Sequence, residues 1–294
     1  MKNYFEQDVL ESLLKIELPM KYRVKGHRKG THKSNISGKN VDFKEHREYV
    51  QGDDVSKIDW KLFGRTEKLY IKEYEEDVSC NVLVIIDKSA SMKYTSGHME
   101  KVEYAKFLFT TIFTVFTRQG DNVGLGFFDE KFKMVLPPSS QSTSIPRLNE
   151  ILNGINAEGK TVTENINSTI QNSLKKKINM IYIISDFIVN SNAITAFISG
   201  VKSFSNDVYI LQLSDPVEKS FDFKGEYLFK DYETGKEIIL NSSDISDFYK
   251  SYYSKHIEEI RKISKKNNCQ YFNLSTKYSY PENFMKFVSH YTRS

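Results

Sequence analysis

Cysteine is nearly absent from this chain, and so is any long apolar run. The 294 residues hold two cysteines, Cys80 and Cys269, far apart and without metal-type spacing. That excludes a disulfide framework and suits a reducing compartment. The longest uncharged run, FLFTTIFTVFT at 107–117, is about half the roughly 20 residues that a membrane span needs. The opening MKNYFEQDVLESL carries acids where a secretory signal would need an apolar core. A surplus of charge is lacking too: 42 Lys and Arg face 38 Asp and Glu, a net +4. Attraction to polyanions therefore has to come from local clustering. No internal repeat is present. These absences point to a cytoplasmic protein, and the 39% apolar and 27% charged composition to an ordinary globular one.

Clustering does occur early. Between Lys21 and Lys39 stand seven Lys and Arg, two His and no acid, among glycines and without periodicity, which reads as a loop. Before it, Val9, Leu10, Leu13, Leu14 and Leu18 fall at helical spacing. Residues 41–79 are dense in charge and aromatics, with a turn at Gly52-Asp53-Asp54; LYIKEY is rich in strand formers and Gly64 interrupts any helix, which favours short extended pieces over long helices.

From residue 80 the rhythm becomes apolar strand, turn, helix. Strands are expected at 81–86, 122–128, 131–136, 179–185, 207–213 and 270–274, the third of them an edge. Helices are expected at 99–118, 145–155, 164–175, 191–204, 244–267 and after Pro281, with a hairpin-like insert ending near 241. Continuous apolar runs suit strands buried on both faces by crossover helices. The fold class is thus α/β, a doubly wound, mostly parallel, Rossmann-like sheet over 80–294, preceded by a charged and aromatic extension over 1–79.

Two strands end alike, VLVIID at Asp87 and MIYIISD at Asp186. In open parallel sheets ligands bind beyond the carboxyl ends of strands, where the strand order reverses. In the common doubly wound order these two strands are neighbours at that reversal. Asp87, Ser89 and Ser91 alternate in DKSAS, so their oxygens can point one way, and all-oxygen sites suit a hard cation such as Mg2+ or Mn2+. The bland alternative is a capped helix start, against which Asp186 in its matching place favours a metal. A hydroxyl from GKTVTEN, Thr161 or else Thr163, is a further ligand candidate.

Two enzyme readings compete. GINAEGKT, Gly154 to Thr161, fits the phosphate-loop pattern and would make a nucleotide hydrolase. That mechanism needs a strand directly before the loop, and Ile145, Leu148, Ile151, Leu152 and Ile155 are spaced as a helix face. Nucleophilic catalysis by Ser89 lacks a positioned base, since His98 has no identifiable partner acid. The chain is therefore read as a non-enzymatic protein.

DKSASM at 87–92, Thr161 in GKT and Asp186 in ISDF resemble the metal-ion-dependent adhesion site of von Willebrand factor type A domains. The stretch from KGHRKG to YEED, with its basic glycine loop, REYVQGDD turn and IDW segment, resembles the signature of the DUF58 family, in which that block precedes a type A domain. The resemblance implies a bacterial cytoplasmic protein, or one peripheral to the inner membrane through its partners. Relatives often carry a membrane hairpin, and none is read here. It also implies a MoxR-type AAA+ ATPase or its client as partner, in protein assembly or maturation. Asp87, Ser89, Ser91, Thr161 and Asp186 would hold the ion, and an acidic residue of the partner would complete it. Lys160 departs from the pattern, standing where a second glycine is usual. That puts occupancy in doubt and leaves open a scaffold with a vestigial site. In the upstream block, Arg47, Glu48, Tyr49, Asp53, Asp54, Asp59 and Trp60 are either a docking face or a structural brace, and a brace is the favoured reading.

Overall fold

The computed structural model describes residues 2–5, 41–76, 79–97, 99–139, 143–159, 169–170, 178–232 and 234–291. The chain divides into two compact units, Met20–Ser79 and Met1–Pro19 with Cys80–Ser294.

In the smaller unit, β1 (Val41–Glu48) pairs antiparallel with β2 (Tyr70–Glu76). Between them lie a 3-10 turn, Val55–Lys57, and helix α1, Trp60–Thr66. The two strands are the short extended pieces expected, but the reading of Gly64 as an interruption of any helix is corrected, because α1 runs through it. An interior glycine costs roughly 1 kcal/mol, and the cap offsets it: Asp59 Oδ1 accepts from the N–H groups of Lys61 and Leu62 at 3.0 and 3.2 Å. Glu67 ends the helix in left-handed conformation, φ 55°. Ile58 bridges to Ile71, and both are buried.

In the larger unit the strands are β3 (Asn81–Asp87), β4 (Asn122–Phe128), β5 (Phe132–Leu136), β6 (Met180–Ser185), β7 (Asp207–Ser214) and, after a hairpin of β8 (Glu226–Lys230) and β9 (Glu237–Asn241), β10 (Gln270–Ser275). They lie in the order β10-β7-β6-β3-β4-β5, all parallel except the edge pair β4/β5. The chain moves outward from β3 through β4 to β5, then restarts on β3's other side with β6. The reversal therefore falls between β3 and β6.

Helices cover both faces: α2 (Lys101–Arg118), α3 (Ile145–Asn153), α4 (Ser191–Lys202), the short α5 (Pro216–Ser220), α6 (Ser242–Lys266) and α7 (Tyr280–Tyr291). Alternation along the strands sorts the core. Leu83, Ile85, Ile181, Ile183, Val208 and Ile210 pack with Ile194, Phe197, Ile198 and Val201 of α4. On the other face Tyr182 stacks on Tyr209, centroids 4.8 Å apart, and meets Phe116 of α2 and Phe287 of α7. Each fully buried Ile or Leu is worth roughly 1.5–3 kcal/mol. That explains why strands with no polar residue from Val82 to Ile86 sit in the middle of the sheet.

The edge strand closes tightly on its neighbour. A Cβ on Gly124 would lie 2.5 Å from the Pro138 ring and 2.8 Å from the Leu136 carbonyl, so only glycine fits. The N-terminal residues, assigned by the sequence to the extension, fall with the sheet unit. Tyr4 and Phe5 are buried. The Tyr4 hydroxyl donates to Glu103 at 3.0 Å, its N–H to Asn149 at 3.0 Å, and its carbonyl accepts from Thr110 at 3.0 Å. The helices expected at 5–18 and 164–175 lie largely outside the described residues, and the basic loop wholly so. No helix among the described residues is long and apolar enough to cross a membrane.

Candidate functional site

Parallel register sets Ile86 opposite Ile184, so β3 and β6 end level, and Asp87 arrives beside Ser185. The Ser185 hydroxyl donates to Asp87 Oδ2 at 2.6 Å, and the Ser89 N–H donates to Asp87 Oδ1 at 2.8 Å. Both carboxylate oxygens of Asp87, itself fully buried, are thus oriented by neighbours. Ser89 and Ser91 turn their hydroxyls together, Oγ to Oγ 3.0 Å, on a short 3-10 turn, Ala90–Lys93, anchored by buried Met92. Lys88, at the intervening position, turns away and pairs with Asp129.

The glycine segment is laced to the same turn. Glu158 N–H donates to the Lys88 carbonyl at 2.8 Å, and Ala90 N–H to the Gly159 carbonyl at 3.0 Å. Gly159, at φ 87°, thereby delivers the chain to the DKSAS turn. Lys160, Thr161 and Thr163 themselves lie outside the described residues. Helix α3 ends at Asn153 and Gly154 caps it, so the strand that a phosphate loop requires does not precede this one.

Asp186 follows β6 and is 3% exposed. Its Oδ1 accepts from the Ile188 N–H at 3.2 Å, and its carbonyl accepts from Gln212 at 3.2 Å. Its Oδ2 accepts from the Lys101 ammonium at 2.7 Å, which donates equally to Glu218 Oε1 at 2.7 Å. Lys101 is fully buried, with its ammonium 5.6 Å from the Tyr94 ring centre. Glu218 closes a capping box with Asp215 on α5, and Asp215 in turn accepts from Ser96 N–H at 3.0 Å.

Electrostatics follow from burial. Asp87 is pushed up to about 7, first by desolvation and then by the nearby charge of Asp186. Glu218 is raised mainly by burial. Burial opposes the charge on Lys101, but Asp186 and Glu218 outweigh it, so the ammonium is held above its ordinary value. Among the described residues no group of three or more His, Cys, Asp or Glu stands in metal-ligand geometry. Any ion here depends on serine hydroxyls as well as on acids.

The structure therefore brings Asp87, Ser89, Ser91 and Asp186 to one end of the sheet. Sequence reasoning missed Lys101, Ser185 and Glu218. The signal for Lys101 was a lysine in the first turn of a helix, where the helix dipole disfavours a cation.

The upstream residues bond among themselves. Arg47 donates to Asp53 at 2.8 Å, and the Val50 N–H to the same oxygen at 2.9 Å. Asp54 caps the 3-10 turn through Ser56, and Asp59 caps α1 and pairs with His46 at 2.9 Å. Tyr49 N–H donates to the Leu69 carbonyl at 2.9 Å, and the Glu48 carbonyl accepts from Arg47 at 3.1 Å. Trp60 is 60% exposed and meets Phe63 edge-on, so it is not the packing residue that a lone tryptophan suggests.

Uncharacterized proteins of Mycobacterium bovis and Mycobacterium tuberculosis are 30% identical over 94 residues, 32% of this chain. The match spans 30% of the length of those relatives. Among solved structures, the conserved hypothetical protein BatB from Bacteroides thetaiotaomicron aligns over 74% of this chain and 100% of its own, at 15% identity and TM-score 0.47. An aerotolerance-related membrane protein from Bacteroides fragilis does so at 18% identity and TM-score 0.47, with the same coverage. The family described as protein of unknown function DUF58 matches residues 45–260, and the chain belongs to that family.

Proposed function

We propose that this protein is a non-enzymatic binding module of the von Willebrand factor A kind, which engages an acidic residue of a partner protein through a Mg2+ or Mn2+ ion. The observation that carries the reading is the pair of serine hydroxyls, Ser89 and Ser91, 3.0 Å apart beside two buried strand-end acids. Adjacent oxygens of an octahedral Mg2+ shell, at bond lengths of about 2.1 Å, lie roughly 3.0 Å apart. The donor set therefore fits a hard divalent cation. Charge supports the same reading, since Asp186 lies near enough to Asp87 to raise it, and the one ammonium there, that of Lys101, pairs with Asp186 and Glu218.

Asp87, Ser89, Ser91 and Asp186 would hold the ion, with Thr161, or else Thr163, as the further hydroxyl. When bound, the ion supplies an electrophilic position for a carboxylate. Asp87 is held in orientation by Ser185 and the Ser89 N–H, and the turn by its hydrogen bonds to Glu158 and Gly159. A MoxR-type AAA+ ATPase or its client, in the cytoplasm, is the partner that the family resemblance suggests. Lys101 gives a second reading its one observation: an ammonium already pairs with Asp186, as in a scaffold that needs no metal.

Melting temperature with EDTA and with millimolar Mg2+ or Mn2+ tests the proposal. Wild type is expected to gain stability with metal, and Ser89→Ala/Ser91→Ala to lose that gain. A wild type indifferent to metal would favour the scaffold.

A further inference from the structure

The ammonium of Lys101 stands outside the oxygen set of the proposed site and yet touches it. Several kcal/mol oppose burying such a charge, and its place in the first turn of α2 adds repulsion from the helix dipole. Two acids 2.7 Å away, Asp186 and Glu218, keep it there. Asp186 and Glu218 share this ammonium, while Asp87 is held by the Ser185 hydroxyl and the Ser89 N–H, and Asp215 by the N–H groups of Ser96 and Val217.

The consequence for Asp186 is specific. Lys101 takes Oδ2 and the Ile188 N–H takes Oδ1, so the charge of Asp186 is already matched by an ammonium, whereas both donors to Asp87 are neutral. A carboxylate so engaged offers a cation little of its charge. What remains for the ion is Asp87 with neutral hydroxyls, a set too poor in negative charge to neutralise a divalent cation. An ion held that way stays net positive and gains most from an anionic ligand brought from outside.

We propose that Lys101 is a specificity-determining residue of the site: by claiming Asp186 it keeps resident metal binding weak and leaves the ion's charge to be satisfied by a partner's carboxylate. Glu218 is the positioning residue that holds Lys101 in that role. The inference rests on the metal reading of the site, and the test separates the two.

Mn2+ alone is titrated into wild type, Lys101→Met, Glu218→Gln and the double variant, with free Mn2+ read by electron paramagnetic resonance and folding by circular dichroism. Removing a unit charge from beside a divalent ion is expected to tighten Mn2+ binding at least about tenfold in Lys101→Met. Glu218→Gln, which removes a nearby negative charge and leaves Lys101 to Asp186 alone, is expected to weaken it. Opposite signs exclude simple unfolding, which would weaken both. Should Lys101→Met fold poorly, the double variant against Glu218→Gln reads the same lysine in a background with one fewer buried acid, and the same tightening is expected. Wild-type binding that neither lysine substitution tightens would overturn the inference and leave the metal site standing. No Mn2+ bound by any of the four proteins would overturn both.

Discussion

Asp87→Asn is expected to stabilise the metal-free protein at alkaline pH, although it removes the central acid of the site. The folded state raises Asp87 from 3.8 to about 7 through burial and the neighbouring Asp186. Below about pH 4 the acid is neutral in both folded and unfolded chains, and burial carries no penalty. As pH rises from there to about 7 the unfolded chain releases its proton first, so wild-type stability falls across that window and levels off above it. A gap of about three pH units, at roughly 1.4 kcal/mol each, corresponds to about 4 kcal/mol. Asparagine keeps one acceptor oxygen for the two donors, Ser185 and the Ser89 N–H, and losing one bond costs about 1 kcal/mol. The net gain of roughly 3 kcal/mol corresponds to a melting temperature higher by about 5–10 °C at pH 8. Thermal melts in EDTA from pH 4 to pH 9 should show the two proteins converging in acid and separating with rising pH. A difference independent of pH would refute the reasoning, because it would place the cost of Asp87 in packing and not in its charge.

Two further outcomes bear on the scaffold. Gly124→Ala must displace Pro138 or the Leu136 carbonyl and is expected to cost about 1–3 kcal/mol in urea denaturation, a loss that an unaltered midpoint would contradict. Asp59→Ala removes the cap of α1 and the partner of His46, a cost of about 1–2 kcal/mol that hydrogen exchange should find at Lys61 and Leu62. Unchanged protection there would mean that water replaces the cap.

The central strands were legible because burial on both faces forces uninterrupted apolar runs. Val82–Ile86 and Met180–Ile184 leave no alternative of that length, and an acid closing each run marks where burial of the apolar kind stops. Asp87 and Asp186 met because two such strands are neighbours wherever the chain reverses direction in the sheet. What joins them was hidden. Lys101 belongs by sequence to a helix, and Glu218 to a polar insert. Nothing local says that their side chains converge, although a cation in a first helical turn and the Asp-Pro-x-Glu order at 215–218 were each visible oddities. Helix α1 was obscured by Gly64, because propensity is a weak prior beside a two-bond cap. The docking of Tyr4 and Phe5 could not be read, since it depends on Asn149 and Thr110 more than a hundred residues away.

The buried ammonium also constrains how this end of the sheet opens. Lys101, Asp186 and Glu218 come from three separate crossovers of the chain. If Lys101 withdraws, Asp186 and Glu218 are left without their counter-charge in the interior, a loss of several kcal/mol, whereas withdrawal of Glu218 alone leaves Lys101 and Asp186 paired. Fraying of the start of α2 alone is therefore suppressed, whereas α5 can fray and leave a neutral pair behind. The start of α2 and the segment after β6 are thereby coupled, which hydrogen exchange would report as one shared free energy across residues far apart in sequence, with α5 opening below it.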